Sequence, residues 1–562
     1  RRRQQEMADS IIGVGKKVAL LDAELGEEDS EGSFKPVGQP GSVAFSLSES
    51  SFALFPPIEP HDGDFPQLNP MFSTLESPTR DDAFPGPTKV SKPLQRSGVR
   101  GDSYAGDMNG LDSTVDSADS AVRLSAFMVA AARNYPPPPH KYGPIVLVTS
   151  YTNFSDLAHG PRGQQATRAM RSYRLNISDG TLTLLSVVLE DTMHNPAFCR
   201  RHPMLNVVYA CTESVKKEGE IVSLALDGRT GALRELCPPV GAGGTSTCYM
   251  TIHHSGRRML LVNYWDSTIC TLELLPDGKI GRALASYDPK QGKPMKASCD
   301  SHVNHSRNDE VAQAERQGDP HSHAIVLEPT TGTIAYVPDL GMDVIRQFHF
   351  DEETGVVTPC GEVISGVKSM FSRRGLGPRY IAFAKDLHTC YVVNELSSQV
   401  AVFEYHPDVA ASIAQACANA ATAEEKATVL ARAAPTLTLV QTVSTLPEAF
   451  PGEMNTCGRV TIHPSGDFVV TSNRGHDSVA VHRIHRDSKP PGMLTLAGIF
   501  HTRGETPRHF QFDKSGQWLI VANQDSNTCA VFNFNHSTGA VSYSGNTYAC
   551  QSPNFVCVWD GA

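Results

Sequence analysis

From Ile145 to the end of the chain a unit of roughly 50 residues recurs, and a period of that length built of short strands limits the fold more than any single motif. Near the C-terminus the unit reads Thr506-Pro507-Arg508-His509-Phe510-Gln511-Phe512, a turn through Lys514-Ser515-Gly516, then Trp518-Leu519-Ile520-Val521-Ala522-Asn523-Gln524-Asp525-Ser526. A third strand follows at Thr528-Cys529-Ala530-Val531-Phe532. Gly377-Pro378-Arg379-Tyr380 opens the same pattern, which continues to Val392-Val393-Asn394-Glu395-Leu396 and Val400-Ala401-Val402-Phe403. Further copies start at Asn195-Pro196, Ser246-Thr247, Pro320-His321 and near Gly458. Ile145 to Val188 reads as a unit lacking its first strand, and Ser552-Pro553-Asn554-Phe555-Val556-Cys557-Val558 reads as a lone first strand. Joining them supplies a seventh blade and removes the open sheet edges. The expected fold is all-β: a seven-bladed β-propeller of four-stranded blades, closed by pairing of its N- and C-terminal segments.

The propeller is expected over residues 141–562, with two interruptions. Residues 286–318 are polar and irregular, while 409–434 are Ala-rich with Glu424, Glu425 and Lys426, which predicts helix between the third and fourth strands of blade five. Residues 1–140 differ in texture. They are rich in Ser, Pro, Gly and Asp and lack sustained periodicity, apart from short helical patterns near Lys16–Glu24 and Ala121–Arg133. Such an acidic, Pro-rich segment buries too little apolar area to offset its ordering entropy, so a disordered extension is expected. It reads either as a docking tail for a protein partner or as an uninformative extension.

A net charge of −11 argues against a general nucleic-acid or anionic-membrane binder, which needs a basic excess. No apolar run approaches the roughly 20 residues of a membrane helix. The 13 cysteines form no CxxC pair and many fall within strand-like runs, such as Cys390 and Cys529, which suggests buried thiols rather than a disulfide framework or zinc site. A cytoplasmic protein is the expectation.

In a propeller the loop leading into the innermost strand and the turn joining the second strand to the third open on the same face. Arg379 and Arg508 lie at the first position, with His323 in the matching slot of its own unit. Glu395, Arg474 and Gln524 follow Asn394, Asn473 and Asn523 at the second, where Glu213 and Tyr264 stand in earlier units. The repeat keeps an Asn for the turn and varies the residue after it. Arginines, a carboxylate and a histidine are thereby brought to one channel mouth, a set suited to anion binding and proton transfer. His321 and His323 are spaced to share one side of a strand, but no carboxylate or cysteine ligand stands beside them, and no metal or other cofactor is expected.

Asn473-Arg474-Gly475-His476-Asp477-Ser478, Gly377-Pro378-Arg379, Asn394-Glu395-Leu396 and Pro320-His321-Ser322-His323 resemble the signature turns of the seven-bladed lactonase family. That family includes propeller-type 6-phosphogluconolactonases and carboxy-muconate cycloisomerases. Val303-Asn304 and Arg316-Gln317 resemble the family's loop before the double histidine, here split by extra residues. The resemblance spans about Ile145 to Trp559. It implies a catalytic set of His323, Glu395, Arg379 and Arg474, and His321, Arg508, Gln524 and His476 complete the expected substrate-binding set. One departure is Tyr380, where many relatives carry histidine.

The resemblance implies hydrolysis of an anionic sugar lactone, with 6-phosphogluconolactone of the pentose phosphate pathway foremost. Glu395 or His323 would serve as general acid or base, and the arginines would stabilise the oxyanion. No G-x-S-x-G nucleophile elbow occurs in a strand–turn–helix setting, so no acyl-enzyme is expected. Two other readings stand beside this one: a muconate-type cycloisomerase, and a non-catalytic interaction scaffold.

Overall fold

The computed structural model describes residues 142–289, 316–368 and 375–560. The extension, its two helical patterns and most of the irregular insertion lie outside the described residues. The rest forms seven antiparallel sheets, each running outward from an inner strand, a, to an outer strand, d. Blade 1 takes its strand a from the C-terminus: Pro553–Trp559 pairs with Ile145–Ser150, Val146 facing Val558. Blades 2 to 7 begin at Pro196–Arg201, Thr247–Ile252, Val326–Leu327, Pro378–Ala384, Thr456–Ile462 and Pro507–Phe512. In blade 2 the outer strand is split in two, Leu233–Glu235 and Val240–Thr245, both pairing with Glu218–Leu226.

Burial follows from this layering. Each second strand, such as Trp518–Asn523 or Thr389–Asn394, is buried along its whole length, because neighbouring blades cover both faces of the sheet. Continuous apolar runs are therefore required there. The outer strands alternate instead, as in Val541–Ala549, since one face meets water.

In four blades the asparagine that closes the second strand fastens the blade to the one before it. Asn263, Asn394, Asn473 and Asn523 donate from Nδ2 to the carbonyls of Ala242, Ser365, Thr445 and Thr502 at 3.0, 2.9, 2.8 and 2.8 Å. All four are fully buried. Their acceptors lie on or just past the outer strand of the preceding blade, so the retained Asn is an inter-blade fastener as well as a turn residue.

The Ala-rich insertion in blade 5 forms two helices, α1 (Pro407–Asn419) and α2 (Ala423–Ala431). Pro407 occupies the first turn of α1, where its missing N–H costs nothing. Thr422 caps α2 by accepting from the Glu425 amide. Ala410, Ile413 and Cys417 line one face of α1 and, with Leu430, pack on Tyr336, Phe403 and Tyr405. Lys426 pairs with Asp351 of blade 4 at 2.8 Å. Ile413→Ala is expected to remove about 2–4 kcal/mol of stability by leaving a cavity there, read as a lowered melting temperature. The described cysteines are free thiols, most of them buried. Among the described residues no helix is long and apolar enough to cross a membrane.

Candidate functional site

Two repeated backbone features build one end of the channel. The residue before strand a adopts left-handed geometry in several blades: Asn195, Ser246, Gly377, Thr506 and Ser552 have φ of 43, 56, 65, 55 and 37°. Its carbonyl accepts the amide of the residue after strand b. These pairs are Glu213 to Asn195, Tyr264 to Ser246, Glu395 to Gly377, Gln524 to Thr506 and Tyr151 to Ser552, at 2.6–3.1 Å. At Gly377 a Cβ would also come within 2.5 Å of Leu396, so this turn needs glycine twice over.

Glu395 is the hub of the mouth. Arg379 Nε and Arg474 Nη2 lie 2.7 and 2.9 Å from its Oε2, and Arg316 Nη2 donates to Oε1. The pair with Arg379 is an ion pair rather than an aligned hydrogen bond, since its Nε has no partner of good geometry. The arginines are held in turn by the chain. Arg379 Nη1 donates to Gly458 O at 2.7 Å, Arg474 Nη2 to Cys457 O at 2.6 Å and Arg316 Nε to the Tyr264 hydroxyl at 3.1 Å. Burial alone would raise the Glu395 pKa, but Arg316, Arg474 and Arg379 outweigh it and hold the carboxyl well below its usual range. Burial pulls Arg474 down to about 9 against the pull of Glu395, which leaves it charged at neutral pH.

The opposite side of the mouth is composed differently. Tyr151 donates to Glu213 Oε2 at 2.7 Å, and His159 Nδ1 stands 4.0 Å from Oε1. The Arg508 guanidinium lies over the Tyr151 ring, 5.3 Å from its centroid, and makes no ion pair with a carboxylate among the described residues. Burial would lower the Arg508 pKa, but Tyr151 and Glu213 hold it above its usual value. Burial and the arginines, Arg508 foremost, hold His159 well below its ordinary pKa. A strap, residues 152–167, carries His159 over this side. Asn195 Oδ1 accepts from the amides of Thr152 and Asn153 at 2.8 Å, and Arg162 pairs with Glu505 and Asp525 at 2.9 and 3.2 Å.

Between the two clusters opens a small pocket, continuous with solvent. Its lining includes Tyr151, Glu213, Cys248, His323, Arg379 and Arg508. His509 and Phe555 of its lining belong to a ring of aromatic side chains: Phe198 packs on Tyr249 and Phe555 with centroids 4.5 and 4.4 Å apart, and His509 stacks on Phe555 at 3.7 Å. Tyr380 continues the ring 5.4 Å from Tyr249 and lies beneath Arg379. Tyr380 is therefore part of the pocket lining.

Of the residues singled out from sequence, His323, Arg379 and Arg508 line the pocket, while Glu395 and Arg474 form the ion cluster behind Arg379. Burial, with Arg379 adding to it, holds His323 well below its ordinary pKa, so it is neutral at pH 7. The other three stand outside both the lining and that cluster. Strand a of blade 4 begins only at Val326, and His321 stacks on Tyr264 while its Nδ1 lies 3.1 Å from the Tyr264 carbonyl. His476 packs between Phe450 and His501, and its Nδ1 lies 2.8 Å from Ser478 Oγ. Gln524 turns its amide to Asp525 at 3.1 Å. Asp477 supports the turn, accepting the amides of Gly475 and Thr506. Among the described residues no group of three His, Cys, Asp or Glu side chains converges to hold a metal ion.

Tyr151, His159 and Arg316 were not singled out from sequence as site residues. Tyr151 had a signal, since it follows strand b of blade 1 just as Glu395 follows that of blade 5.

The mouth of the closed propeller thus brings Arg316, Arg379, Arg474 and Arg508 together with Glu213 and Glu395 beside a small pocket. The chain belongs to the seven-bladed β-propeller lactonase family, whose model matches residues 145–431 and 421–558. It is similar to a 6-phosphogluconolactonase of Bacillus subtilis, 25% identical over 364 residues that cover 65% of this chain and 86% of the relative. A 6-phosphogluconolactonase of Formosa agariphila is 26% identical over 374 residues, covering 65% and 88%. Among solved structures, a periplasmic gluconolactonase of Pseudomonas aeruginosa has the same fold, with a TM-score of 0.56 at 21% identity over 74% of this chain and 98% of that one.

Proposed function

We propose that this protein hydrolyses a sugar lactone, 6-phosphogluconolactone being the substrate the site suits best, by metal-free general acid–base catalysis at the channel mouth. The observation that carries this reading is the charge of the mouth. Among the described residues Arg316, Arg379, Arg474 and Arg508 gather there with Glu213 and Glu395, and Arg459 bonds to His509 of the lining, so positive charge exceeds negative around the pocket. A phosphorylated lactone brings negative charge to that excess, in a setting where burial weakens screening. The names of the relatives point to the same substrate.

The chemistry required is modest. A water adds to the lactone carbonyl, negative charge develops on the carbonyl oxygen, and the ring oxygen leaves with a proton. Arg508 has no carboxylate to satisfy among the described residues and offers its N–H groups to the developing oxyanion. Arg379 reaches the pocket from the other side and holds the anionic end of the substrate. His323, neutral, contributes a hydrogen bond rather than a charge. Initial-rate hydrolysis of the lactone by the purified protein, with and without prior chelator treatment, tests the reading. Turnover above the buffer rate that survives chelation is expected.

A further inference from the structure

Two carboxylates stand at the mouth, and they are not equivalent. Both oxygens of Glu395 are taken by arginines, Oε1 by Arg316 and Oε2 by Arg379 and Arg474. A carboxylate so held gives up affinity for a proton, and it stands behind Arg379 rather than on the pocket wall. Glu213 differs in each respect. It lines the pocket, no arginine lies within ion-pair distance of it among the described residues, and its Oε2 accepts one hydrogen bond, from Tyr151 at 2.7 Å. His159 Nδ1 stands 4.0 Å from Oε1, beyond hydrogen-bond reach. A base must be able to receive the proton it removes, and of these two carboxylates Glu213 is the one that presents an oxygen that can.

We infer that Glu213 is the general base that activates water in the proposed hydrolysis, with Tyr151 as its positioning residue, while Glu395 is the counter-ion that assembles the arginines. Glu213 Oε1 removes a proton from water as the water oxygen bonds to the lactone carbonyl carbon. The carbonyl π pair moves onto oxygen, beside Arg508. When the tetrahedral adduct collapses, the ring C–O bond breaks and the proton held by Glu213 passes to the departing ring oxygen. The net change is the addition of one water, and no oxidant or co-reactant is needed. Burial, helped by Glu213 and opposed by Arg508, keeps the Tyr151 phenol well above its usual pKa, so it remains a donor throughout. The phenol fixes the rotamer of Glu213.

The inference rests on the lactonase reading, and kinetics of three variants separates the two. Glu213→Gln keeps shape and the Tyr151 contact. It is expected to lower kcat on 6-phosphogluconolactone about 100-fold or more, with KM within a few-fold of wild type, and to abolish the acid limb of the pH–rate profile. Tyr151→Phe removes the bond that favours the ionised carboxylate, so its acid limb should move to higher pH. Glu395→Gln, assayed at a temperature where it is folded, should keep that limb in place. A Glu213→Gln protein within threefold of wild type, or one that retains the limb, would overturn the assignment of Glu213 alone. If that variant does not fold, an unmoved limb in Tyr151→Phe would overturn the assignment in its stead. A wild-type protein with no turnover would overturn the lactonase reading itself.

Discussion

Replacing Glu395 with glutamine should cost the fold about 3–5 kcal/mol, the usual penalty for removing one partner from a buried ion cluster. Glu395 is 2% exposed, and Arg316, Arg379 and Arg474 all rely on it. Without its charge three guanidiniums face one another in a low-dielectric site, and water cannot readily replace the carboxylate. The effect should exceed that of most single substitutions elsewhere. Denaturant unfolding of wild type and variant measures it. The pH dependence gives an independent reading. The folded-state pKa of Glu395 is depressed, so its contribution is fully present above the unfolded value of about 4.3 and is lost as pH falls through the lower folded value. Wild-type stability should therefore drop on acidification below about pH 4, and Glu395→Gln should lack that component.

Arg508→Ala should behave in the opposite manner, damaging turnover and sparing the fold. No ion pair is lost, because Arg508 pairs with no carboxylate among the described residues, and what disappears is a cation over the Tyr151 ring. If Arg508 carries the developing oxyanion, kcat should fall about 100-fold, or roughly 2.7 kcal/mol of transition-state stabilisation. KM should change less, because Arg379 and the net positive mouth remain to bind the anionic end. Steady-state kinetics beside a thermal melt reads both quantities. A large loss of stability with normal kcat would assign Arg508 to the framework instead.

The propeller was legible because its repeat is unusually regular. Asn394, Asn473 and Asn523 mark equivalent places, and counting one residue onward lands on Glu395, Arg474 and Gln524, all at the channel mouth end. The closing blade was legible for a related reason, since Pro553–Trp559 carries the pattern of an inner strand with no outer strands to follow it. What escaped depends on side-chain direction or on chain segments outside the repeat. His159 sits on a strap with no counterpart in other blades, and Arg316 stands at the end of an insertion. Tyr151 was hidden because its blade is assembled from the two ends of the chain. Glu395 was legible as a site carboxylate, but spacing cannot reveal that three arginines converge on that one side chain. Likewise His321 and His476 lie in signature turns, yet their rings pack on Tyr264 and between Phe450 and His501. A signature turn identifies a family through its backbone geometry, and only some of its side chains face the pocket.

The central claim is that this mouth is an anion-selective lactonase site, and one comparison tests it most directly. Initial rates on 6-phosphogluconolactone and on the same lactone without its phosphate should be measured under identical buffer and salt. The excess of positive charge among the described residues of the mouth predicts a kcat/KM at least about tenfold higher for the phosphorylated lactone, equivalent to some 1.4 kcal/mol, with an advantage that shrinks as salt is added. Equal rates for the two lactones, or rates no faster than buffer for both, would contradict it.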